Sequence, residues 1–136
     1  MSLAARRANL RTGGVRCVAE IDRDLVEWNY GDYEGLRTVD IHAKRPDWES
    51  FRDGCPNGES PDQVGARADR VLTRVRPIKD SVLIFSSGHF LRVFGACWLG
   101  LEAAAGKYFM LNTASLRALS YENEQPAIQF SNDTES

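Results

Sequence analysis

The sequence predicts an α/β layered fold, and three observations carry that expectation. Residues 60–75 combine a full helix-start signal with apolar residues at helical spacing. Residues 81–86 form a continuous apolar run, as expected of a strand covered on both faces. That run turns through Ser86, Ser87 and Gly88 into an almost wholly apolar helix, and two more strand-like segments follow. Helices interleaved with strands, one of them buried, belong to layered α/β architectures.

Taken in order, residues 16–21 suit a short strand, and residues 22–37 a loop rich in glycine and aromatic side chains. Thr38 to Lys44 reads as a short helix that must close before Pro46. At the next helix Ser60 is the expected N-cap, Pro61 the first helical residue and Gln63 the partner that completes a capping box. Val64, Ala68, Val71, Leu72 and Val75 then form one core-facing stripe. Phe90 to Trp98 leaves almost no polar face, so the helix after residue 88 is expected to be deeply buried. Ser115–Tyr121 and Ala127–Phe130 read as strands around the turn-prone Glu122–Pro126, and the polar tail from Ser131 is expected to fray.

The 136 residues suit a single domain, 1–136, with a hydrophobic core of its own. A net charge of −2 supplies no electrostatic reason to expect a nucleic-acid or anionic-membrane surface, and no apolar run approaches a membrane span. Cys17, Cys55 and Cys97 are widely spaced, which suggests a reduced, cytoplasmic setting. They share no metal-ligand spacing with His42 or His89, so neither a metal nor another cofactor is expected.

Three segments have the residue types for chemistry. At Ser86–Gly88 the helix N-terminus would present N–H groups to an anion, and Gly88 would let a ligand approach the backbone; a plain connecting turn accounts for it equally. In "DLVEWNYGDYEG", Glu27 sits among apolar residues as a candidate proton donor, while Trp28, Tyr30 and Tyr33 are candidate pocket walls or core packing. In "WESFRDGCPNGESPDQ", Glu59 stands just before the capped helix, either ordering a loop or facing solvent.

In this order the segments resemble the histidine phosphatase superfamily, the phosphoglycerate-mutase-like family, from about residue 20 to the end. "LVEWNYGDYEG" is similar to its acid-loop motif, "NGES" to its helix start, and "FSSGHFLRV" to its S-H-G-x-x-x-R motif. "WLGLEAAAGKYFMLNTASLRALSY" resembles the segment that follows, and the whole is most similar to the small sugar-phosphate and acid phosphatases. The resemblance implies a three-layer α/β sandwich and hydrolysis of phosphomonoesters through a phosphohistidine, without metal. It makes Glu27 the proton donor, Gly88 the glycine after the second histidine, and Arg92 the arginine five residues beyond that histidine. Counting back from Glu27 puts Arg6 at a phosphate-binding arginine, with Arg7 as the alternative. The implied ligand is a phosphorylated small molecule such as a sugar phosphate, or inorganic phosphate.

Two departures stand out. No R-H-G occurs in the 136 residues, so the family's nucleophile and its first, central strand are expected to be missing. Ser87 occupies the second histidine's position, and His89, two residues further, is expected to point elsewhere. A serine hydroxyl donates to phosphate without charge, at a cost on the order of 1–2 kcal/mol. Loss of a covalent catalyst removes most of the rate enhancement. The expectation is therefore an inactive or strongly impaired hydrolase, with a non-catalytic binder using Arg6, Ser87 and Gly88 as the alternative. Missing a central strand would expose sheet edges, which a homodimer would cover. A serine-hydrolase reading of Ser87 lacks the first glycine of G-x-S-x-G, and no histidine follows residue 89.

Overall fold

The computed structural model describes the backbone of residues 5–7 and all of residues 20–134. The predicted strand at 16–21 lies mostly outside these; Glu20 and Ile21 within them are irregular. The described strands form two antiparallel pairs. β1 (Ala5–Arg7) runs beside β2 (Val82–Ile84), with Arg6 opposite Leu83. β2 is shorter than the apolar run that predicted it, and its residues are only half-buried. The expectation of a strand covered on both faces is therefore not met among the described residues. What covers a strand is decided by its neighbours, and the described one is three residues long.

α1 (Thr38–His42) and α2 (Ser50–Asp53) are single turns that border the loops. α3 (Pro61–Val75) begins as its sequence predicts, with the Ser60 side chain accepting from Gln63 N–H and the Gln63 side chain accepting from Ser60 N–H. The reciprocal bonds satisfy two donors that a helix start would otherwise leave open. Its stripe of Val64, Ala68, Val71 and Leu72 meets Phe90, Val93 and Phe94 of α4 (Gly88–Trp98) in one core. Phe90 and Val93 are fully buried, and each contributes about 1.5–3 kcal/mol by leaving water.

β3 (Leu116–Glu122) and β4 (Gln125–Asp133) form a hairpin through Asn123 and Glu124, which both take positive φ as a tight hairpin turn requires. The strand continues to Asp133, which pairs with Leu116, so Ser131–Asp133 of the tail expected to fray lie in β4, and Glu135 and Ser136 fall outside the described residues. Trp98 ties the hairpin to α4 by donating its indole N–H to the Ala127 carbonyl at 3.1 Å.

Two loops are pressed together beside the start of α4. A Cβ on Gly31 would lie 2.2 Å from the Pro56 carbonyl oxygen, and one on Gly58 would lie 2.3 Å from that of Asn29. Gly31 also takes positive φ. Only residues without a side chain permit the bonds from Asp32 N–H to Pro56 and from Glu59 N–H to Asn29, each 2.8 Å long.

Candidate active site

Glu27 and the Ser86–Gly88 turn, far apart in sequence, meet at the start of α4. The Glu27 carboxylate accepts the Phe90 N–H at 2.9 Å and the His89 N–H at 3.3 Å. It also accepts the N–H of Trp28 at 2.8 Å. A carboxylate is favoured here because the first N–H groups of a helix have no partners within it and carry its positive dipole end. Behind it, the Ser86 hydroxyl donates to the Leu25 carbonyl at 2.6 Å and fixes the turn against the loop bearing Glu27.

Ser87 is the N-cap of α4, yet its side chain makes no capping bond and is exposed. A Cβ on Gly88 would meet nothing within 4 Å, so the protein's own packing does not demand glycine there. The space is open, as approach of a ligand to the Gly88 N–H would need. Arg6 is described only as backbone in β1, and its side chain lies outside the described residues. Arg92 donates to the carbonyls of Gly106 and Lys107 at 3.1 and 2.8 Å and lies over the Phe51 ring. It thus holds α4 against residues 103–108.

The loop carrying Glu27 is fixed from beneath by Arg67, a residue sequence reasoning passed over. Arg67 is buried, pairs with Glu59 at 2.7 Å, and donates to the carbonyls of Asp24 and Val26 at 2.8 and 3.0 Å. Glu59 in turn accepts the Asn29 N–H, and its carbonyl accepts the Trp28 indole N–H. The available signal was position: Arg67 is three residues past Val64 and four before Val71, so it shares their buried face. Glu59 therefore orders the loop, one of its two expected roles. Burial would raise the Glu59 carboxyl, but the hydrogen bonds from Arg67 and Asn29 outweigh it and hold the pKa below the usual value.

The His89 side chain, expected to point elsewhere than the family's second histidine, is held by residues of the loop bearing Glu27 and by Phe51. It turns to the Tyr30 hydroxyl, which it meets through Nδ1, and packs edge-on to Trp28 and Phe51. Burial keeps the imidazole below its ordinary pKa, while the Glu27 charge works in the opposite direction. Burial first, and then Glu27, push the Tyr30 phenol well above its ordinary value. At neutral pH both groups are therefore uncharged, and the contact between them is a neutral hydrogen bond. Tyr30, Tyr33 and His89 border an open cleft of about 360 Å³. Trp28 instead belongs to the core. Among the described residues no three His, Cys, Asp or Glu side chains converge as a metal site would require.

Comparison with known proteins follows the same outline. A family model described as histidine phosphatase superfamily (branch 1) matches residues 4–134. The chain is 41% identical over 108 residues to an acid phosphatase of Mycobacterium tuberculosis, covering 78% of this chain and 53% of that protein. It is 38% identical over 99 residues to the sedoheptulose 1,7-bisphosphatase of Saccharomyces cerevisiae, covering 60% of this chain and 36% of that one. The chain thus spans about half the length, or less, of these curated relatives. Among solved structures, that of the open reading frame Rv3214 from Mycobacterium tuberculosis superposes with a TM-score of 0.80 at 37% identity, covering 85% of this chain and 61% of that one. A mycobacterial glucosyl-3-phosphoglycerate phosphatase, solved with inorganic phosphate, gives a TM-score of 0.74 at 21% identity over 86% of this chain and 66% of its own. The latter likeness is one of fold.

Proposed function

This chain belongs to the histidine phosphatase superfamily, branch 1, and from that premise we propose that it binds phosphomonoesters at the start of α4 and hydrolyses them poorly. The observation that carries the reading is the meeting of Glu27 with the N-terminal N–H groups of α4. It supports a site in which Glu27 faces a phosphoryl group seated at Ser87 and Gly88, its role as proton donor resting on the family resemblance. Two donors remain for that group among the described residues: the exposed Ser87 hydroxyl and the Gly88 N–H. A helix N-terminus favours an anion there. The relatives named acid phosphatase and sedoheptulose bisphosphatase support phosphate esters as the ligand class.

Poor hydrolysis follows from the residues at hand. A phosphoryl group in transfer needs fixed positive charge around its oxygens. Ser87 supplies none, and Arg92 is engaged by two carbonyls. Within these residues no R-H-G supplies the family's nucleophile. Arg6 remains our candidate for a cationic contact, being carried on the strand beside β2.

One sample tests both halves. Phosphate binding is followed by calorimetry, and turnover by release of an aryl alcohol from its phosphate ester. We expect binding together with turnover close to that of buffer. Efficient turnover abolished by Glu27→Ala would replace this reading with a working hydrolase; absence of phosphate binding would remove it altogether.

A further inference from the structure

The turn at Cys55–Glu59 carries a tie that the candidate site does not use. Its Asn57 side-chain N–H donates to the Asp32 carboxylate at 2.9 Å, across the two pressed loops. Asn57 is exposed and takes a positive φ of 56°, a conformation asparagine tolerates better than most residues. Packing around it is close: a Cβ on Gly31 would lie 2.5 Å from the Asn57 carbonyl carbon. The tie therefore sits where the loop bearing Glu27 meets the turn bearing Glu59.

Asn57 is also the one asparagine of six that precedes a glycine. Asparagine is a thermolabile side chain. Glycine, lacking Cβ, leaves the next backbone nitrogen unhindered for attack on the side-chain amide. In the closed turn that nitrogen is occupied, since Gly58 N–H donates to the Cys55 carbonyl at 2.9 Å. The other bond across the turn, from Cys55 N–H to the Glu59 carbonyl, is longer at 3.3 Å. Freeing Gly58 therefore takes local opening of an exposed turn, not global unfolding.

We propose that Asn57 is a site of spontaneous deamidation, whose product turns the tie to Asp32 into a like-charge contact and loosens the two loops. The Gly58 nitrogen loses its proton to solvent and bonds to Asn57 Cγ. The Cγ–Nδ2 bond breaks, and ammonia leaves with a proton from solvent, closing a succinimide. Water then opens the ring, giving aspartate or, by opening at the main-chain carbonyl, isoaspartate. Aspartate sets a second carboxylate against Asp32 where a donor stood. Isoaspartate lengthens the backbone beside Gly31, where not even a Cβ fits. Neither outcome depends on what the start of α4 binds.

The test follows the peptide containing Asn57 by mass spectrometry while the protein stands in mildly alkaline buffer, folded or unfolded in urea. Aspartate and isoaspartate are expected to accumulate at position 57 in both, about tenfold more slowly in the folded chain because the turn must open first. Asn57→Asp should lower the urea midpoint of the parent chain. Asp32→Asn combined with Asn57→Asp exchanges amide and carboxylate across the same contact, and should bring the midpoint back. An Asn57 that stays intact in the folded chain while the unfolded chain converts overturns the proposal, as does an Asn57→Asp variant with an unchanged midpoint. A midpoint that the exchanged pair fails to recover removes like charge as the cause and overturns it too.

Discussion

The Arg67 guanidinium grips the Glu59 carboxylate at two points, Nε to Oε1 at 2.7 Å and Nη2 to Oε2 at 2.9 Å. Its Nη1 reaches past the pair to the carbonyls of Asp24 and Val26. One side chain from α3 thereby fixes both segments that frame the candidate site: the loop with Glu27 and the turn before Ser60. The pair is nearly enclosed, with side-chain exposures of 10% and 18%.

Removing one partner of such a pair leaves the other charge buried and several carbonyls without donors. Arg67→Ala is expected to lower the unfolding free energy by about 3 kcal/mol, within the range for broken buried pairs. Arg67→Lys should recover less than half, because an ammonium cannot serve a bidentate carboxylate and two carbonyls in one plane. Urea unfolding measures both. A loss below about 1 kcal/mol would class the pair with surface bridges and remove Arg67 from its place as the loop's anchor.

The same pair sets a pH dependence. Glu59 and Asp24 both have folded pKa values below their ordinary ones. For Asp24 the leading cause is the hydrogen bond from Arg70, opposed by burial and reinforced by Arg74. Asp53 is lowered to about 2, first by its bond from Arg52 and then by the Glu49 N–H. The unfolded chain binds protons to these groups at higher pH than the folded one. Their stabilisation is therefore full above the ordinary carboxyl range and is lost as pH falls, between roughly pH 5 and pH 2. Glu59→Gln should flatten that part of the stability profile, as thermal unfolding at a series of pH values will read. An unchanged slope would contradict the assignment.

His89 gives a second titration with a checkable sign. Its cation is disfavoured, chiefly by burial, so its folded pKa lies below 6.5. The stabilisation that comes from keeping it neutral is present above that value and is lost as pH falls towards the folded pKa. Proton NMR of the imidazole should place the midpoint below 6.5. In Glu27→Gln the midpoint should fall further, because the Glu27 charge is the one influence raising it. A midpoint that rises in that variant would show that Glu27 does not act on His89 as drawn.

How much of this was legible in the sequence depended on the range of the interaction. The capping box at Ser60 and Gln63 involves residues three apart, so local pattern sufficed to read it. The placement of Glu27 came from resemblance to a family motif, and its bonds to α4 bring that motif to the helix start. The apolar run at 81–86 was read as a strand covered on both faces; it is a half-buried strand of three residues, because cover is supplied by other elements. The Tyr30–His89 bond joins residues 59 apart with no local pattern in common, so nothing in the sequence announces it. Arg67 had a signal, a cation on an apolar stripe, but its partners Glu59, Asp24 and Val26 come from two loops that spacing cannot join.

Ser87 offers the most direct test of the phosphate site. Its side chain is exposed and makes no capping bond, so a substitution there removes no internal contact of the helix start. An imidazolium in its place would add a charge-assisted donor where the Gly88 N–H already faces open space. Hydrogen bonds to charged groups are worth about 1–2 kcal/mol more than neutral ones when made to phosphate. Ser87→His is accordingly expected to tighten inorganic phosphate about tenfold at a pH where the imidazole is protonated, and to lose that gain as it deprotonates. Ser87→Asn, a donor without charge, should change little. Because charge carries the gain, raising the salt concentration should erode it. Turnover of an aryl phosphate should stay near background in every variant, since a second phosphate-holding residue does not supply a nucleophile. If Ser87→His binds phosphate no tighter than the parent chain at low pH, the start of α4 is not where the phosphoryl group sits.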